Sequence, residues 1–124
     1  MKYVIVSRFD PERTRELASK VSPEAFAAID QATKSGTTLD QSQVEALGVE
    51  SGMAAILADH LAHLTRLTSR GELLSGGPCV GFEEAINIFE AETEQQAREL
   101  HDADPLAKSG IFAIDKVYAW QQVF

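Results

Sequence analysis

Residues 53–71, MAAILADHLAHLTRLTSRG, set the condition that the rest of the chain has to meet. At 100° per residue, Met53, Ile56, Leu57, Leu61, Leu64 and Leu67 fall on one stripe. A helix of this length with a single apolar stripe draws most of its stability from packing that stripe against something else. Ser51 is the candidate cap and Gly71 the stop. His60 projects close to the centre of the stripe and His63 falls at its edge, while Asp59 and Arg66 point away. A titratable ring among leucines is the first functional clue.

The surface for this helix comes from four strand-like runs. KYVIVSRF, residues 2–9, is rich in β-branched and aromatic residues and stops at Asp10-Pro11. ELLSGGP and EAINIFEA follow the long helix as strands two and three, joined around Gly81, and GIFAIDKVYAW closes the chain as strand four. Between strands three and four lies a second helix, TEQQARELHDAD, with Thr93 as cap and Gln96 at capping-box spacing. Three weaker helical segments separate strand one from the long helix: PERTRELASK, PEAFAAIDQATKSG and LDQSQVEALG. Asp10-Pro11 and Ser22-Pro23 start the first two, and Gly36 and Gly48 end the last two. None is strongly apolar, so all three are expected on the outside.

The order predicts an α+β fold: a ferredoxin-like βαββαβ antiparallel sheet with helices on one face. It forms a single domain over residues 1–124, with a helical insertion at about 10–50 after strand one. Strict alternation in strand four places Phe112, Ile114, Tyr118 and Trp120 on one face and Ile111, Ala113 and Val117 on the other. Both faces are largely apolar and two core helices cover only one, so a homodimer through the second face is expected.

Charge narrows the partners. The 124 residues carry a formal net charge of −8 and no Lys/Arg cluster, which argues against nucleic acid and anionic membrane surfaces. The N-terminal apolar run ends at Ser7-Arg8, shorter than a signal peptide or a spanning helix. Cys79 is the only cysteine and has no internal disulfide partner, so a cytoplasmic setting is expected.

Two residues stand out for chemistry. His60 reads either as a neutral core histidine bonded to a backbone carbonyl, or as a general base or acid where the stripe lines a pocket. Asp104, before Pro105, has the position of a helix cap. It could equally accept the imidazole N–H and hold its tautomer. Asp102 is the weaker alternative, near the helix end and solvated. Ser75 and the Gly76-Gly77 pair could form a wall that a ligand approaches closely, or simply a bend in the strand. A metal site from His60, His63 and Asp59 lacks a third ligand in a common direction, and Cys79 reads as a small buried hydrophobe. There is no P-loop, dinucleotide fingerprint or nucleophile elbow.

The segments HLAHLTRLTSRGELLSGGP, FEAETEQQARELHDADPLAKSGIF and VYAWQQVF, in that order, resemble the YciI-like (YCII-related) family over residues 1–9 and about 57–124. The resemblance implies a dimeric α+β barrel, with ferredoxin-like subunits joined through their sheets, and a His/Asp pair in a pocket. The family histidine falls on His60, the aspartate of its Asp-Pro motif on Asp104, and its Gly-Pro on Gly77-Pro78. Some members resemble dehydrochlorinases, and the related muconolactone isomerases use the same barrel. The insertion is this chain's departure from the family, and it is expected to lie over the pocket mouth as a lid.

The expected function is therefore cofactor-independent proton transfer of lyase, isomerase or cyclase type, with neither metal nor organic cofactor. The substrate would be a small organic molecule lined by Ser75, Gly77 and Pro78, with His60 as base and Asp104 orienting it. The alternative is a non-catalytic dimeric module that binds a small metabolite or a protein partner. A purely structural histidine with a capping aspartate is the third reading.

Overall fold

A computed structural model describes all of residues 1–124. The chain runs β1 (Lys2–Phe9), α1 (Pro11–Lys20), α2 (Pro23–Lys34), α3 (Gln41–Glu45), α4 (Ser51–Ser69), β2 (Leu73–Pro78), β3 (Glu84–Glu90), α5 (Glu94–Asp102), α6 (Pro105–Lys108) and β4 (Phe112–Trp120). The strands form one antiparallel sheet in the order β2-β3-β1-β4. This is the ferredoxin-like α+β arrangement that the order of elements predicts.

Caps decide where the helices begin. Asp10 and Ser22 accept the backbone N–H groups of Arg13 and Ala25, each just before a proline. Asp40 and Gln43 form a reciprocal capping box at α3. At α4 the cap is Glu50 rather than Ser51: its longer side chain reaches the Met53 N–H at 2.7 Å, which makes Ser51 the first helical residue. No helix is long and apolar enough to cross a membrane.

β1 alternates cleanly. Tyr3, Ile5 and Ser7 are buried beneath the helices, while Val4 and Val6 face the other way. Cross-strand partners share their faces, so Phe89 and Val117 join the covered side, and Ile86, Ile88 and Tyr118 the open one. Strand four departs from strict alternation. Val6 pairs with Lys116 but Ser7 pairs with Ile114, so Asp115 is an extra residue, a β-bulge. Phe112 and Ile114 therefore lie on the same face as Val117, while Tyr118 and Trp120 turn outward. The carboxylate of Asp115 reaches out to Arg8 at 3.4 Å.

The core forms two apolar clusters. One gathers Tyr3, Ile5, Leu67, Leu73, Phe89, Ala91 and Ala97; fully burying a side chain such as Ile5 or Phe89 contributes about 1.5–3 kcal/mol. The other gathers Met53, Ala54, Leu57, Leu106, Ile111 and Phe112 with Leu17, Val21, Ala25, Val44 and Val49. The last five residues belong to the inserted region or border it. The insertion is thus part of the core rather than a layer outside it. Each of its helices has little apolar surface, yet each sends a residue into this cluster; Val44 is wholly enclosed, while Phe26 of α2 stays exposed.

The phase of α4 also differs from the leucine stripe. Met53, Ala54, Leu57, Ala58, Leu61, His63 and Leu67 are buried, whereas Ile56, His60 and Leu64 are only partly so. Ala54 and Ala58 extend the buried face past Leu61 on one side, and His63 is buried on the other. His60 projects between them and stays partly open.

Candidate active site

His60 on α4 faces the corner between α5 and α6. Its Nδ1 lies 2.8 Å from each carboxylate oxygen of Asp104. Asp104 is the cap of α6, and its Oδ1 also accepts the Leu106 backbone N–H at 2.9 Å. The capping role and the histidine-binding role, alternatives in the sequence, are here filled by one carboxylate at once. Its side chain is 6% exposed and that of His60 is 19% exposed, so the acceptor is sheltered while the ring reaches solvent.

The geometry assigns the proton. A carboxylate only accepts, so Nδ1 of His60 carries the hydrogen and Nε2 of the neutral ring is left as an acceptor. Nε2 makes no hydrogen bond within the chain. If the ring gains a second proton there, the pair becomes a charge-assisted hydrogen bond, shorter and stronger than a neutral one. This is a group able to take a proton from a bound molecule and return it.

His63 points elsewhere. Its Nε2 donates to the Leu100 carbonyl at 3.2 Å, and Arg66 approaches its Nδ1 at 3.5 Å. No group of three or more His, Cys, Asp or Glu side chains is disposed to hold a metal ion.

Ser75, Gly77 and Pro78 do not gather beside His60. A register shift between Leu73 and Ser75 pairs Ser75 with Ile88 and Gly77 with Ile86, both on the open face of the sheet. There the three residues line an open depression of about 410 Å³ together with Cys79, Ile86 and Ile88. Gly76 faces inward, where a β-carbon would collide with Oδ1 of Asn87. The sheet thus separates this depression from the His60–Asp104 pair. Cys79 is half-buried at the rim of this depression.

One cluster was not anticipated from the sequence. His101, 2% exposed, brings Nε2 to 2.5 Å from the hydroxyl of Ser7, which is fully buried, and Nδ1 to 2.9 Å from Asp102. Position 101 follows Ala97 by four residues, on the buried side of α5, and Ser7 continues the inward series of Tyr3 and Ile5. The same helical-wheel argument that singled out His60 applies to His101. The solvated Asp102 is indeed exposed, but it is bonded to a buried ring.

The sequence profile of the YCII-related domain matches residues 1–121. Among solved structures, the fold is similar to that of 5-chloro-2-hydroxyhydroquinone dehydrochlorinase from Burkholderia phenoliruptrix AC1100, in complex with 2,5-dihydroxybenzoquinone. The TM-score is 0.52 at 20% sequence identity, over 98% of this chain and 94% of that one. At this identity the likeness is one of fold. The chain matches none of the curated protein sequences.

Proposed function

The chain belongs to the YCII-related domain family, and on that premise we propose that it is a small-molecule enzyme in which His60 moves a proton without a cofactor. The observation that supports this most is the free Nε2 of a half-buried imidazole whose Nδ1 is held by the sheltered carboxylate of Asp104. In the forward step Nε2 takes a proton from an acidic carbon or hydroxyl of the substrate. The electron pair left behind then expels a leaving group on the neighbouring carbon, or shifts a double bond that is reprotonated elsewhere by the imidazolium. Elimination, isomerisation and ring closure all follow from this one exchange. Asp104 stabilises the imidazolium and keeps the ring in the productive tautomer. A base of this kind supplies roughly 10²–10⁴-fold, so the substrate is one whose proton is already activated by a carbonyl or an electron-poor ring. The solved structure of similar fold is named as a dehydrochlorinase and holds a hydroxyquinone, which makes hydroxyquinones, chlorinated hydroxyhydroquinones and unsaturated lactones the first compounds to try.

The working form in this reading is a homodimer joined through the open sheet face. The second sheet would roof the depression beside Ser75, Gly77 and Pro78 and make those residues the wall of an enclosed chamber. The alternative, a dimeric binding module, uses that chamber with no chemistry at His60. It has one observation in its favour, namely that the depression lies on the far side of the sheet from the pair.

His60→Gln separates the two readings. For the enzyme, turnover of a substrate from this panel falls roughly 10²–10⁴-fold while its dissociation constant stays within a few-fold. Turnover at the wild-type rate would falsify the base; a loss of affinity with no turnover in either protein would favour the binding module.

A further inference from the structure

The three histidines of this chain lie where its two apolar clusters meet. Along β1 the order is Tyr3 and Ile5, then Ser7, then Phe9; along α4 it is Leu57, then His60 and His63, then Leu67; through α5 and α6 it is Ala97, then His101 and Asp104, then Leu106. At that boundary Ser7 and His101 are both buried, and the ring of Phe112 lies against that of His101 with centroids 5.3 Å apart. Ser7, His101 and Asp102 have the connectivity of a hydrolytic triad. A nucleophilic role does not fit, because Ser7 is fully enclosed and its carboxylate member lies in solvent.

We propose that Ser7 and His101 are positioning residues for the His60–Asp104 pair. The connection can be followed atom by atom. Asp102 accepts from Nδ1 of His101, so Nε2 of the neutral ring is an acceptor and the Ser7 hydroxyl donates to it at 2.5 Å. The backbone carbonyl of His101 accepts the N–H of Asp104 at 3.1 Å. The carboxylate of Asp104 receives Nδ1–H of His60 at 2.8 Å. The last turn of α5, from which Asp104 extends, is thereby tied to the central strand β1. On the other side His63 donates to the Leu100 carbonyl and ties the same turn to α4. An apolar pair at 7 and 101 would fill this layer without any desolvation cost. What the hydroxyl and the ring add is direction: a hydrogen bond weakens steeply with angle, and apolar contact does not.

The inference rests on the proposed role of the His60–Asp104 pair, and the test keeps the two apart. Long-range ¹⁵N NMR of the imidazoles reports which nitrogen carries the hydrogen, and it needs no substrate. In the wild type His60 is expected as the Nδ1–H form, and Asp104→Asn should turn it into a mixture. Ser7→Ala and His101→Gln, with Asp104 intact, should move the His60 signals part of the way toward that mixture, and Ser7→Thr should restore them. With a substrate in hand, the same two variants should lower kcat roughly ten- to a hundredfold at unchanged KM. The proposal is overturned if Ser7→Ala and His101→Gln leave the His60 signals on those of the wild type while Asp104→Asn displaces them. If Asp104→Asn displaces nothing, the pair itself is not formed and the base reading fails first. Should the variants not fold, the wild-type spectrum decides: His101 must show an acceptor Nε2 coupled to a slowly exchanging Ser7 hydroxyl, and a protonated Nε2 overturns the proposal.

Discussion

Asp104 serves the fold and the candidate base with the same two oxygens, and a conservative substitution should separate the services. Asparagine is among the best N-caps, so Asp104→Asn is expected to shift the melting temperature little. Its side-chain N–H₂, however, offers a donor where His60 needs an acceptor. The ring then loses its fixed Nδ1–H form, and kcat/KM should fall by about 10²–10⁴-fold. Melting curves and rates measured on one preparation check both halves, and a stability loss as large as the rate loss would contradict the separation. At His63 the expectation is reversed. Its Nε2–H satisfies the Leu100 carbonyl inside the protein, so His63→Phe strands a buried acceptor at a cost of roughly 1–3 kcal/mol, read by chemical denaturation. His60 and Asp104 were legible in the sequence because each stands out, one among leucines and one before a proline. His101 was open to the same reading, four residues after Ala97 on one side of α5, but no stripe of leucines surrounds it to make it stand out.

At the scale of elements, boundaries followed from local chemistry and faces did not. Prolines after Asp10, Ser22 and Asp104 and glycines after α2 and α4 mark the helix ends in the sequence itself. The outward turn of Tyr118 and Trp120 depends on the extra residue at Asp115, which only the partner strand β1 reveals. The width of the buried face of α4 depends on two alanines and a histidine that a leucine stripe ignores. The inserted helices carry the largest surprise, because sparse apolar residues on three segments converge on one site. Leu17→Ala, in a helix that by composition belongs at the surface, should therefore cost about 2–5 kcal/mol, measured as a shift of the denaturation midpoint. The cap of α3 adds a pH signature. The Gln43 backbone N–H, with the Ser42 hydroxyl second, holds the Asp40 carboxyl below its ordinary value. A folded-state value below the unfolded one stabilises at neutral pH, and that contribution is lost as the pH falls through the folded value. The melting-temperature gap between wild type and Asp40→Ala should accordingly close in acid, and a gap independent of pH would show that the carboxylate charge is irrelevant to the cap.

For the whole molecule, the uncovered side of the sheet is the dominant surface feature, with Val4, Val6, Ile86, Ile88, Tyr118 and Trp120 on one face. In the proposed homodimer, Val6→Lys places a charge on the open face of the central strand, where the second sheet would cover it. Sedimentation velocity should then report a monomer for the variant and a dimer for the wild type; a dimer in both would move the interface elsewhere. The boundary between the two apolar clusters has a mechanical consequence as well. Greasy layers can shift past one another by the width of a side chain at small cost, because their attraction has no preferred angle. Ser7 and His101 break that smooth contact and act as a dowel between helices and sheet. The double substitution Ser7→Val with His101→Leu should give a molecule that melts no earlier than the wild type and still loses sharpness, with collapsed methyl dispersion and weakened near-ultraviolet dichroism. It would keep its shape while losing the single seat on which the layers rest.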